Sequence, residues 1–251
     1  MGTTRNDFEN PEFVLFGMDD EVAYQKAKQL YSTIHDKPIY QCTIEEAEMI
    51  KVTYNTYITM KICLANVVME ASHKLDNVNC DNVMKGLFLG SERLMSPKYL
   101  LGGMGDGGGC HPRDNIALSW LAKKIDMSYD WYENLMICRE KQTEWLADLI
   151  VEHKGVLPVT ILGKCFKKET NLTVGSPSIL LKNILTEMGI EVDMYDPFID
   201  KHELDMKTSC YFIGTNHDVF LDYEFPKDSI VLDPWGIIQD QDGVTVIRIG
   251  R

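Results

Sequence analysis

Apolar residues recur in three different rhythms along this chain. The first forty residues carry two short apolar runs around one helical pattern. Phe13-Val14-Leu15-Phe16-Gly17, closed by a glycine, predicts a buried strand. Asp19 to Tyr31 has helical spacing (Val22, Ala23, Ala27, Leu30, Tyr31), and Pro38-Ile39-Tyr40-Gln41-Cys42 predicts a second strand. Residues 1–10 read as a polar lead-in. A β-α-β piece of this size is too small to bury both sheet faces by itself.

The second rhythm runs from residue 43 to 152 and is helical throughout. Thr43 followed by Glu46 is a capping box, and the pattern continues to about His73 without glycine or proline. At ~1.5 Å per residue such a helix reaches about 45 Å, which suits a central strut or a subunit interface. Shorter helices are predicted over 81–86, 91–101 and 114–124, and a long one over 128–152 (Trp131, Leu135, Ile137, Cys138, Trp145, Leu146, Ile150). The third rhythm begins at Lys154-Gly155. Apolar runs at 159–163, 191–195, 210–214, 229–233 and 244–249, with a helix over 177–188, predict a doubly wound parallel sheet. The fold class is therefore α/β, an all-helical block with one long helix followed by a parallel-sheet domain.

Composition narrows this little but excludes some partners. The 251 residues are 45% hydrophobic and 25% charged, as in ordinary globular chains. A net charge of -13 argues against nucleic acid or an anionic membrane as the main partner. Seven cysteines without a CxxC pair point to free thiols in a reducing compartment rather than to disulfides or a zinc site. No leader peptide or membrane-length apolar run is read, so the expected location is cytoplasmic.

The stretch with the densest chemical signal is Gly102 to Asp114. Six glycines in eight residues precede Cys110, and His111-Pro112 open an apolar-periodic run. Glycines let backbone approach a ligand closely. Cys110 then falls at a helix amino end, where the dipole and free amides favour a thiolate. A flexible turn beside an inert thiol would leave the same pattern, since most cysteines serve as small hydrophobes. Asp114, placed in the first turn of a helix beginning at Pro112, is either a dipole partner or a base acting on water near the cysteine. Lys51 and Asn55 stand four apart on the long helix and share a face, with Asn66 on the same stripe. Spacing alone favours a solvated edge there; the chemical alternative is a cation and an amide that steady an oxyanion. Arg93 and the group Lys164, Lys167 and Lys168 could hold phosphate or be surface charge. Thr215-Asn216-His217-Asp218 follows a strand directly, where doubly wound sheets bind ligands, and His217 alone makes no metal site.

Four stretches together resemble the UDP-glucose/GDP-mannose dehydrogenase family, whose members use NAD twice to oxidise a sugar C6 alcohol to a carboxylate. Glu48 to Thr56 is similar to its central-helix motif, and Gly107 to Asp114 to its GGSCFPKD nucleophile motif. Ile161 to Thr170 resembles the strand and loop opening its C-terminal domain, and Thr215 to Asp218 its T-x-H-x-E/D loop. The resemblance implies that Cys110 attacks a C6 aldehyde and carries it to a thioester, that Lys51 and Asn55 meet the oxyanion, and that Asp114 handles the hydrolytic water. It implies that Arg93, Lys168 (with Lys167 as second choice) and the glycines Gly107, Gly108 and Gly109 contact a UDP- or GDP-sugar, UDP-glucose by preference. It also implies a homodimer through the long helix 43–73. The domains it implies are 1–42, the tail of a dinucleotide-binding domain; 43–153, helical and dimerising; and 154–251, Rossmann-like and sugar-nucleotide-binding.

The departures are as specific as the matches. No G-x-G-x-x-G follows the first strand, so NAD would be held mainly by a domain this sequence does not contain, for instance a separately encoded half. Val174 stands where the family has an arginine in T-R-E-S, and no arginine lies in Asp233-Pro234-Trp235-Gly236. The expected function is thus part of an NAD-dependent nucleotide-sugar 6-dehydrogenase, inactive by itself. The alternative is a non-catalytic sugar-nucleotide-binding or dimerisation module derived from that family.

Overall fold

The computed structural model describes residues 4–94, 96 and 102–251, without the side chains of residues 4, 7, 52, 55, 56 and 59. The chain divides into two units, Met1–Glu70 and Ala71–Arg251.

In the first unit, helix α1 (Thr4–Glu9) replaces the polar lead-in expected from sequence. Its one aromatic explains why, since the Phe8 ring packs edge-on to Tyr31 with centroids 5.8 Å apart. Strand β1 (Val14–Gly17), helix α2 (Glu21–Tyr31) and strand β2 (Ile39–Cys42) follow at nearly the expected places. The strands pair in parallel, Val14 with Ile39 through to Gly17 with Cys42. Gly17 is required by a close approach, because a Cβ there would lie 2.7 Å from the Ala47 side chain. Helix α3 (Ile44–Lys74) starts at the expected capping box. The Thr43 amide donates to Glu46 Oε2 at 2.9 Å and the Glu46 amide to Thr43 Oγ1 at 3.2 Å.

The second unit holds helices α4 (Cys80–Phe88), α5 (Ser91–Leu94), α6 (Cys110–Lys124) and α7 (Trp131–Lys154) ahead of the sheet. The expected helix over 91–101 is seen as the turn α5; residues 95 and 97–101 lie outside the described part. Strand β3 (Val159–Leu162), helix α8 (Pro177–Glu187) and strands β4 (Val192–Tyr195), β5 (Cys210–Ile213), β6 (Ile230–Asp233) and β7 (Thr245–Arg248) complete the fold. The sheet order is β4-β3-β5-β6-β7, and every pair is parallel. The winding reverses beside β3, the place where open parallel sheets leave a crevice at their carboxyl edge.

Period-two alternation explains the burial of both sheet faces. Val159, Ile161, Cys210, Phe212 and Leu232 point to one face and meet Leu146, Ala147 and Ile150 of α7 with Leu181 and Leu185 of α8. Leu162, Tyr211, Ile213 and Val231 point to the other and meet Phe220, Phe225 and Ile238. No long helix covers that second face among the described residues; a 3-10 turn (Asp218–Asp222) and loops do. Helix α7 therefore shares a core with strands that follow it, although it belongs to the helical run in the sequence.

Candidate active site

Three of the six glycines in the loop, Gly103, Gly107 and Gly108, are required by what they lie against. A Cβ on Gly103 would fall 2.4 Å from the Trp235 ring, and one on Gly107 2.2 Å from the Phe166 Cβ. Gly108 has φ +85 and its missing Cβ faces the same Phe166 ring at 3.0 Å. Opposite it, Gly175 (φ +69) has room for no Cβ, which would lie 2.7 Å from the Gly108 carbonyl oxygen. Phe166 and Trp235 follow the carboxyl ends of β3 and β6, and Gly175 lies in the turn before α8. So the loop is a fitted strand of backbone rather than a flexible tether. Arg139 of α7, mostly buried, locks it further. Its Nε meets Asp106 Oδ1 at 2.7 Å and its Nη2 donates to the Gly175 carbonyl at 3.2 Å.

Cys110 is the first residue of α6, with Gly109 before it as the N-cap, and its thiol is exposed and free. The helix starts earlier than the 114–124 expected, so Asp114 is its fifth residue and not in the first turn. Glycine at the cap lets the helix extend back through Pro112, whose missing amide has no partner to lose in a first turn. Asp114 stands one turn above Cys110 on the same side of the helix. Its Oδ1 accepts from Arg113 Nε at 3.1 Å. Asp114 and, less strongly, Cys110 push the Arg113 guanidinium above its usual range. Val174, largely exposed, lies beside Gly109, its Cγ1 3.8 Å from where a Cβ would be.

The remaining expected residues are placed as follows. Lys168 pairs with Asp218, Nζ to Oδ1 at 2.9 Å, and the carboxylate raises its pKa. Arg93 is exposed on α5. Lys51 belongs to the first unit, exposed on α3, where it lines a hollow of about 490 Å³ with Asn10, Phe13, Ile50 and Tyr54. Asn55 follows one turn later on α3, and its side chain lies outside the described part.

Sequence reasoning singled out His217 but missed its buried partner Asp196. Asp196 and His217 are both 0% exposed. Asp196 Oδ2 accepts from the amides of Lys164 and Cys165 at 2.7 and 3.1 Å and from His217 Nε2 at 3.2 Å. Burial opposes its charge, yet the donors from His217, Lys164 and Phe198 outweigh that and hold it well below the usual carboxylate range. Burial, reinforced by Asp196, pushes the Cys165 thiol up to about 12. Cys165, Asp196 and His217 offer three ligand atoms within 4.8 Å of one another, which resembles a metal set. Each atom is already engaged, though. Cys165 donates to the Thr170 carbonyl at 2.9 Å, and His217 Nδ1 accepts the Glu169 amide at 3.0 Å. An ion would have to displace these bonds, so the group reads as a hydrogen-bonded brace. Its sequence signals were the Thr215–Asp218 loop that carries His217 and an acidic residue at the end of a strand, Asp196 before Pro197.

Known proteins are similar to this chain over nearly its whole length. Residues 45–138 match the central domain of the UDP-glucose/GDP-mannose dehydrogenase family. The UDP-glucose 6-dehydrogenase TuaD of Bacillus subtilis is 25% identical over 98% of this chain and 52% of its own length. The GDP-mannose 6-dehydrogenase of Pseudomonas putida is 30% identical over 99% of this chain and 54% of its own length. The crystal structure of a ternary complex of GDP-mannose dehydrogenase from Pseudomonas aeruginosa has the same fold, with a TM-score of 0.85 at 23% identity over 97% of this chain and 62% of that one. The chain thus spans about half the length of the curated relatives it matches. Among the described residues no helix is long and apolar enough to cross a membrane.

Proposed function

The chain belongs to the UDP-glucose/GDP-mannose dehydrogenase family, and from that premise we propose that it is the nucleophile-bearing part of a nucleotide-sugar 6-dehydrogenase. The observation that carries this reading is Cys110 at the amino end of α6, exposed, on a glycine loop fitted against Phe166 and Gly175. The amino end of α6 turns its free backbone amides toward Cys110. Its sulfur adds to the carbonyl carbon of a C6 aldehyde as the C=O electron pair moves to oxygen. Loss of a hydride from that adduct to a nicotinamide-type acceptor held outside these residues would leave a thioester at the same sulfur, which water cleaves with Asp114, one turn away, accepting the proton and the Cys110 sulfur leaving. The motif, rather than geometry, assigns Lys51 and Asn55 to the oxyanion and Arg93 to the sugar nucleotide. Lys168, or Lys167 beside it, answers the substrate's negative charge. The glycines Gly107, Gly108 and Gly109 let the backbone approach. UDP-glucose is the preferred substrate, and a second copy of the chain packing on α3 is the expected assembly.

The resemblance implies NAD as hydride acceptor, and the residues described here do not fit a dinucleotide. The turn from β1 to α2 is Met18-Asp19-Asp20, without glycine, and the Asp20 carboxylate already accepts from the Ala23 amide at 2.8 Å. A helix end that would face a pyrophosphate thus carries negative charge. A separate NAD-binding half is the expected partner. The second reading, a sugar-nucleotide-binding or dimerisation module without catalysis, is favoured by one observation. Val174 stands beside the Cys110 loop where an arginine is expected.

Cysteine alkylation with peptide mapping separates the two. If Cys110 is a nucleophile, iodoacetamide at neutral pH modifies it about tenfold faster than the exposed Cys63 and Cys138, and UDP-glucose slows it. Equal rates at the three positions would favour the module. NADH production by the 251-residue chain with UDP-glucose and NAD, without any added protein, would show that the inactivity expected of it is wrong.

A further inference from the structure

The turn between β3 and α8 is fixed by groups from the ends of two other strands. The amides of Lys164 and Cys165 are held by Asp196 after β4, and the Glu169 amide by His217 after β5. The Cys165 carbonyl accepts from Thr215 Oγ1 at 2.5 Å. Glu169 sits at φ +56, uncommon for a residue with a side chain. It is kept there from both sides, since its amide donates to His217 while its carboxylate accepts the Asp218 amide at 2.9 Å. His217 is in turn stacked on Phe198, with ring centroids 4.7 Å apart, and meets Phe220 edge-on at 5.5 Å. In the middle of this turn stands Phe166, against which Gly107 and Gly108 rest without Cβ atoms. The contacts therefore run unbroken from a buried carboxylate to the residues just ahead of Cys110.

We propose that His217 and Asp196 are positioning residues for Cys110. They set the turn 164–170, and through Phe166 they set where the amino end of α6 presents its thiol. A neutral imidazole is suited to the task, because Nδ1 accepts the Glu169 amide while Nε2–H donates to Asp196. The inference rests on the reading of Cys110 as the reactive thiol, and the two can fail separately.

The test uses the full chain and the ratio of Cys110 to Cys138 alkylation by iodoacetamide at neutral pH. A ratio near one in the wild type overturns the nucleophile reading and this inference with it. With a high wild-type ratio, His217→Ala is expected to lower it about fivefold, because thiol reactivity follows the placement of the surrounding donors. His217→Asn should recover most of the loss, since Asn Oδ1 takes the place of Nδ1 as acceptor for the Glu169 amide. Phe166→Ala should lower the ratio with the Asp196–His217 pair intact. An unchanged ratio in His217→Ala and Phe166→Ala overturns the positioning role and leaves the nucleophile reading standing. Labelling of Cys210, which is 0% exposed, reports loss of the fold. If the ratio falls only in variants that also label Cys210, the pair is merely structural and the inference is overturned.

Discussion

The strands of the parallel sheet and the helix α3 are built from similar apolar side chains, and they bury them to opposite extents. Ile161, Phe212, Ile213 and Leu232 are 0% exposed, whereas Ile58, Met60 and Ile62 of α3 are 41%, 51% and 54% exposed. The sheet has both faces covered within the chain, by α7 and α8 on one side and by Phe220 and the loops on the other. The long helix satisfies its backbone internally and so forms without a cover for its apolar side chains. The lesson is that burial in this chain is concentrated around the sheet, whereas α3 leaves apolar side chains exposed, as the proposed packing of a second copy requires.

The largest expected effect lies in the sheet. Phe212→Ala removes a buried ring and should cost about 3–5 kcal/mol in urea unfolding of the second unit. A loss below about 1 kcal/mol there would break the contrast, because it would mean that the core relaxes as an exposed helix face does. Next comes Asp196→Asn, which removes charge from a carboxylate holding three backbone amides and His217, and should cost about 2–3 kcal/mol at neutral pH. The Asp196 pKa is lowered on folding, so its ionised form stabilises the fold fully above the unfolded value of about 4. That contribution fades as pH falls from there through the folded value, and the wild-type and variant stability curves should converge in acid. Parallel curves down to pH ~2 would remove Asp196 from the account.

Gly107→Ala tests whether the glycine loop is fitted like the sheet or loose like a tether. The added methyl meets the Phe166 Cβ at 2.2 Å and should cost about 1–3 kcal/mol, partly recovered in the double variant with Phe166→Ala. A neutral Gly107→Ala would place the loop on the exposed side of the comparison. The smallest effect is expected on α3. Ile58→Ala in dilute protein should change stability by less than about 0.5 kcal/mol. A larger loss that appears only at high protein concentration, together with a fall in sedimenting mass, would show that a second copy covers this face.

The parts legible in the sequence were those governed by local rules. The capping box at Thr43 and Glu46, the alternation in the strands and the glycine that ends β1 all read correctly, because each depends on neighbours in the chain. The start of α6 was placed four residues late. Glycine and proline ahead of Asn115 resemble a loop, yet Gly109 serves as cap and Pro112 is tolerated in the first turn. Asp114 moved to the second turn as a result. Helix α1 was read as a polar lead-in because its single aromatic gives no periodicity.

By itself the sequence determined the order and type of the elements, the parallel sheet and the cysteine at a helix amino end, since periodicity, capping and turn chemistry act within a few residues. It also carried the family resemblance, through four short motifs. Tertiary structure alone decided why Gly103, Gly107 and Gly108 must be glycines, through Phe166, Trp235 and Gly175, each far away in sequence. It alone joined Asp196 to His217 and both to the turn 164–170, because those bonds connect the ends of three strands. Contacts of that kind depend on sheet order and register, which no local pattern encodes.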